Sequence, residues 1–252
     1  MFLVHRKNMK LNGNNAVYLA GYGGFDASMS PYFSSGYAVW LESGGMIAVP
    51  GLRGGGEFGE AWHEAGMFEK KQNVFDDFIY AAKWLIENKY TSPEKLGIAG
   101  ASNGGLLTGA SLVQGPEFFK AVYVGVPLLD MLRYHKYSYA NIWAEEYGSA
   151  DDSTQFEYLL KYSPYYNVRA NTVYPAVLYE ASDNDPRRHP MHAMKTAAKM
   201  QAAQIGKEPI LLIVRRHAGH GGGVTLSESI DEQADEWSFM MEELGLKAPN
   251  LP

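Results

Sequence analysis

The run Leu96-Gly97-Ile98-Ala99-Gly100-Ala101-Ser102-Asn103-Gly104-Gly105-Leu106-Leu107 decides how the chain is read. Residues 96–99 form a short apolar run, the composition of a buried strand. From Leu106 onward the residues suit a helix. Between them, Gly100-Ala101-Ser102-Asn103-Gly104 is a Gly-x-Ser-x-Gly pattern, weak alone but given meaning by the strand before it and the helix after it. A nucleophile raised clear of a sheet on a strained turn leaves room for small neighbours only.

Working outward, apolar runs bounded by turn residues predict strands at Phe2–Val4, 16–19, 45–49, 119–126, 176–181 and 210–214. Val74, Phe78, Ala81, Ala82, Leu85 and Ile86 recur at three and four residues and predict an amphipathic helix over 73–88. Further helices are expected over 191–205 and 226–244. Residues 130–166 hold no strand but many aromatics, Trp143 and Tyr147 among them, and read as helices packed over a site or a core. Strands alternating with helices imply an α/β fold, a mostly parallel central sheet with helices on both faces, in one domain over residues 1–252.

Composition narrows the chemistry. With 252 residues, 46% hydrophobic and 20% charged, the chain can bury a core without a disulfide or metal. It has no cysteine, which excludes a thiol nucleophile and thiolate zinc sites. The 22 basic and 28 acidic residues leave a charge of −6, with no basic cluster for nucleic acid or an anionic membrane. The apolar start Met1-Phe2-Leu3-Val4 is too short for a signal peptide, and no run of about 18 apolar residues occurs, so a soluble, cytoplasmic protein is expected. Arg53-Gly54-Gly55-Gly56-Glu57 lacks the lysine and hydroxyl of a phosphate-binding loop, and His189 and His192 lack a third ligand. Neither a cofactor nor a metal is expected.

Ser102, Asp185 and His220 each follow a predicted strand, where open α/β sheets collect reactive groups. Their chain order is that of an α/β-hydrolase triad. Serine needs a histidine to take its proton and a carboxylate to orient that histidine. His217 is the nearest rival to His220. Spacing leaves Asp183 and Asp185 open, with Asp130 a more distant third. The oxyanion of a tetrahedral intermediate needs donors, and the N–H of Asn103, next after the nucleophile, is the first. No His-Gly-Gly-Gly motif supplies the second, but Tyr22 lies in the loop where that motif would fall.

Gly21-Tyr22-Gly23-Gly24-Phe25, Arg53-Gly54-Gly55-Gly56-Glu57, Ser102-Asn103-Gly104-Gly105, Asp130-Met131-Leu132 with His135-Lys136-Tyr137, Tyr162-Ser163-Pro164 and Ala218-Gly219-His220-Gly221 together resemble the catalytic domain of the prolyl oligopeptidase family. The likeness covers nearly the whole chain. It implies an α/β-hydrolase fold and a serine hydrolase that cleaves short peptides after proline, with Ser102, Asp185 and His220 as the triad, choosing Asp185 over Asp183. It further implies that Tyr22 completes the oxyanion hole with the Asn103 amide. Trp143 would stack on the substrate proline, Phe25, Leu128, Tyr139 and Tyr147 would line that pocket, and Arg187 would hold a substrate carbonyl. A flat indole offers a proline ring large contact at low ordering cost, and a charged donor fixes the peptide register.

Two departures accompany the resemblance. The family's β-propeller, which screens out large substrates, has no counterpart in these residues, so an open site would favour simple esters. The chain also begins on what looks like the family's second strand, so Phe2–Val4 is expected to be an unpaired edge through which a second copy could associate. The alternatives to a peptidase are a carboxylesterase using the same triad and a binding module with a silent site.

Overall fold

Side chains alternate across the strands, and that alternation builds two cores. The computed structural model describes residues 1–137, 139–185, 187–216 and 225–249. Its strands are β1 Phe2–Val4, β2 Val17–Ala20, β3 Met46–Val49, β4 Leu96–Ala101, β5 Ala121–Gly125, β6 Ala176–Ser182 and β7 Ile210–Arg215. They form one sheet in the order β1-β3-β2-β4-β5-β6-β7, parallel throughout except for β1 against β3. The helices are α1 Ser35–Glu42, α2 Glu60–Glu64, α3 Gln72–Glu87, α4 Asn103–Gln114, α5 Ala144–Tyr147, α6 Ser153–Tyr162, α7 Pro164–Asn167, α8 Met191–Ala203 and α9 Leu226–Leu244.

Val17, Leu19, Ile98, Val122, Val124, Val177 and Tyr179 face one side, where they pack with Phe75, Phe78, Leu106, Leu107 and Met200 of α3, α4 and α8. Tyr18, Ile47, Ala99, Tyr123 and Leu178 face the other, against Trp40 of α1 and Met240, Met241 and Leu244 of α9. A sheet buried on both faces by parallel crossovers explains the continuous apolar strands. The strand and helix pattern predicts this mostly parallel sheet with helices on both faces, and the fold is the α/β-hydrolase one that the resemblance implies.

α3 buries Val74, Phe75, Phe78, Ile79, Ala82 and Leu85 on one stripe, matching the helical spacing in the sequence. α9 opens on a capping box in which the Glu228 N–H donates to Thr225 Oγ1, and it closes on Gly245 at φ 70. Residues 130–166 form short helices and turns, as expected of that aromatic stretch, with Ser138 outside the described residues.

β1 is the expected edge strand, and its inner side pairs with β3, where Phe2, Leu3 and Val4 register with Val49, Ala48 and Ile47. Its outer side is the end of the sheet, and Phe2 and Val4 remain exposed there.

Candidate active site

Ser102 stands at the end of β4 as the residue before α4, with φ 61 and ψ −117. An L-residue rarely adopts that conformation, and a non-glycine held in it marks stored strain of the kind concentrated at reactive sites. The turn is fixed by close packing. A Cβ on Gly100 would lie 2.3 Å from the Gly104 carbonyl oxygen, and one on Gly104 would lie 2.7 Å from that of Gly21. Both glycines of the motif are therefore demanded by contact, as the strained-turn argument requires. The Ser102 N–H donates to the Gly125 carbonyl, and the Gly105 and Leu106 N–H groups donate back to the Ser102 carbonyl.

The loop after β2 brings Tyr22 to the same place. Burial raises the Tyr22 pKa, while Arg188 and a hydrogen bond with the Ser102 side chain oppose that rise. Asn103 ties the loop down: its Nδ2 donates to the Tyr22 carbonyl at 2.6 Å, and its Oδ1 accepts from the Tyr147 hydroxyl at 2.7 Å. Beneath the loop, Glu146 Oε1 accepts from the Phe25 N–H at 3.1 Å and from Lys71 Nζ at 3.0 Å, and Lys71 also donates to the Gly23 carbonyl. His63 Nε2 meets the other oxygen of Glu146 at 2.9 Å. Burial pulls the Lys71 pKa down, and Glu146 partly restores it. A buried charge is tolerated when paired and hydrogen-bonded, and this pair anchors two backbone groups of the Tyr22 loop.

Asp185 follows β6 and is 5% exposed. Its Oδ1 accepts the N–H groups of Arg187 at 2.7 Å and Arg188 at 2.9 Å, which orders the turn. Asp183, its rival within the loop, is exposed. His220 and His217 both lie outside the described residues, in the segment that follows β7. β7 pairs with β6, the strand that leads into the Asp185 turn.

Tyr22, Phe25, Ser102, Tyr139, Trp143, Arg187 and Arg188 line one cleft of about 600 Å³, joined by Ile142. Tyr139 and Ile142 are exposed at its rim. Leu128 and Tyr147, expected to line the pocket, are fully buried in the core. Tyr147 acts from behind, with its ring edge-on to Phe25 at 5.5 Å and its hydroxyl on Asn103. Leu128 directly follows Pro127 as the chain turns inward from β5, and its side chain packs with the sheet face.

Sequence reasoning missed Arg188. Its guanidinium lies over Trp143, with Cζ 3.5 Å from the ring centroid, and its Nη2 donates to Ser102 Oγ at 2.9 Å. It also missed the Lys71, Glu146 and His63 cluster, whose carboxylate stands 75 positions from Lys71 and 83 from His63. His192, considered as a metal ligand, is committed elsewhere. Its Nδ1 accepts the Leu129 and Asp130 N–H groups, and burial pushes its pKa down to about 3. Among the described residues no group of three or more histidines and carboxylates is placed to hold a metal ion, and no helix is long and apolar enough to cross a membrane.

A serine on a strained turn at the carboxyl edge of a parallel sheet, with a tyrosine hydroxyl beside it and an ordered aspartate turn whose two arginines line the same cleft, has the layout of an α/β-hydrolase site. Residues 31–247 match the profile of the prolyl oligopeptidase family, and the chain belongs to that family. It is 45% identical over 248 residues to a prolyl endopeptidase of Elizabethkingia miricola, a match covering 98% of this chain and 35% of the relative. A structure from a study of two prolyl endopeptidases superposes with a TM-score of 0.95 at 47% identity, covering 97% of this chain and 36% of the other. Prolyl oligopeptidase B from Galerina marginata, bound to a 35-residue hydrolysis and macrocyclization substrate, gives 0.93 at 39% identity, covering 98% and 35%. The chain thus spans about a third of the length of the relatives it matches.

Proposed function

We propose that this chain carries the active site of a serine peptidase cleaving short peptides on the carboxyl side of proline. Ser102 Oγ attacks the scissile carbonyl carbon while His220 accepts its proton, and Asp185 holds the imidazole in the required tautomer. The oxyanion is received by the Asn103 N–H and the Tyr22 hydroxyl. His220 then gives the proton to the leaving amine, and water activated by the same imidazole hydrolyses the acyl-enzyme. Trp143 and Phe25 meet the proline, and Arg187 at the rim meets a carbonyl of the peptide.

The observation that carries this reading is Ser102, held at φ 61 beside the Tyr22 hydroxyl in the cleft that also contains Trp143. Further support comes from relatives named prolyl endopeptidases. Steady-state hydrolysis of a proline anilide, compared with short p-nitrophenyl esters, tests it. The reading expects turnover of the anilide that falls in Trp143→Ala. Hydrolysis of esters alone, unchanged by Trp143→Ala, replaces it with a carboxylesterase. Association of two copies through the outer side of β1 belongs to the same reading, and a monomer mass in light scattering at working concentration counts against it.

A further inference from the structure

Arg188 is left without a task by the reaction proposed above. It is 5% exposed, yet its Nε and Nη1 are buried with no acceptor among the described residues. Guanidinium donors left unpaired away from water are costly, and a ligand that supplies an acceptor relieves that cost. The side chain is also well held. Its backbone N–H donates to Asp185 Oδ1, its Nη2 donates to Ser102 Oγ, and its Cζ lies over the Trp143 ring.

Two consequences follow from this placement. One face of the Trp143 ring is covered by a cation, and a prolyl ring offers that cation no acceptor. Arg187, a second cation, lines the same cleft, so two positive charges border it. Tyr147, Tyr22, Asp185 and Arg187 act electrostatically on Arg188 among the described residues. Asp185 already spends one oxygen on two backbone N–H groups.

We propose that Arg188 is a specificity-determining residue that gives this cleft a second activity, cleavage after aspartate or glutamate, by receiving the substrate's side-chain carboxylate beside Trp143. A planar guanidinium stacked on an indole, with unpaired N–H donors, is a ready receptor for a carboxylate. The bond chemistry is that of ordinary hydrolysis. The acyl carbon forms a bond to Ser102 Oγ as its C–N bond breaks, the amine leaves with the serine proton, and water releases the acid. The inference rests on Ser102 being an acyl-transfer nucleophile.

The test compares quenched-fluorescence peptides that differ only in the residue before the scissile bond, glutamate, glutamine or proline, on the intact protein. Wild type is expected to cleave the glutamate peptide with kcat/KM at least 10-fold above its uncharged isostere. Arg188→Val is expected to bring the two to parity and to raise proline cleavage several-fold, while Arg188→Lys keeps part of the glutamate preference. A wild-type ratio of glutamate to glutamine at or below one overturns the proposal without recourse to any variant, as does an unchanged ratio in folded Arg188→Val. Ser102 reacting with a fluorophosphonate while the glutamate peptide stays intact sinks this specificity alone. An unreactive Ser102 in folded protein sinks the underlying acyl-transfer reading too.

Discussion

Replacing Glu146 by glutamine probes the support beneath the Tyr22 loop. Lys71 and Glu146 have side chains 1% and 5% exposed and meet at 3.0 Å. Removing one charge of a buried pair costs about 3–5 kcal/mol, because the remaining ion is stranded away from water. Glutamine keeps an amide oxygen for the Phe25 N–H, so the lower end applies, about 3 kcal/mol, or a shift of about 1 M in the urea midpoint. The pH dependence has a definite sign. The folded-state pKa of Lys71 lies below its ordinary value because of burial, and loss of Glu146 lowers it further. The folded state then sheds the proton at a pH where the unfolded chain still holds it, so the variant's stability rises from neutral pH toward 10. Urea unfolding of Glu146→Gln at pH 7 and at pH 10 should therefore show a large deficit that shrinks in alkali. A deficit below 1 kcal/mol at pH 7, or one of equal size at both pH values, would refute the account of a charged, buried anchor.

Other perturbations separate chemistry from scaffold. Tyr22→Phe, which removes the proposed second oxyanion donor, should lower kcat by about 10²-fold with little change in KM; a fall in kcat/KM carried by KM alone would assign Tyr22 to substrate binding. Glu236 on α9 accepts from the Tyr18 hydroxyl, and burial raises its pKa from 4.5 to about 7. Between those values the folded state holds the extra proton and stability falls as pH rises, by at most about 3 kcal/mol. Glu236→Gln should match the parent in thermal unfolding below pH 4.5 and exceed it above pH 7; equal melting temperatures at pH 8 would show that this carboxylate is well solvated.

Several parts of the fold and site were legible because the causes are local. The Gly-x-Ser-x-Gly turn is written in glycines that contact demands, α3 in its apolar stripe, and the sheet in strands apolar on both faces. α1 was not foreseen: residues 38–41 are apolar all round, show no helical face, and are placed by Trp40 docking into the core with its Nε1 on the Met46 carbonyl. The partner of β1 depends on β3, more than 40 residues away, and no local pattern encodes that register. Lys71 and Glu146 stand 75 positions apart, so their pairing exists only in three dimensions. Arg188 reads in sequence like any exposed loop arginine beside Arg187, and the turn built on Asp185 is what directs it inward onto Trp143.

The central claim is that Ser102 is a nucleophile primed for acyl transfer. Incubating the intact protein with a fluorophosphonate and locating the adduct by peptide mass spectrometry addresses it most directly. The account predicts one stoichiometric adduct on Ser102, abolished in Ser102→Ala and strongly slowed in His220→Ala and Asp185→Asn. Folded protein that stays unlabelled, or carries its adduct on a different serine, contradicts it.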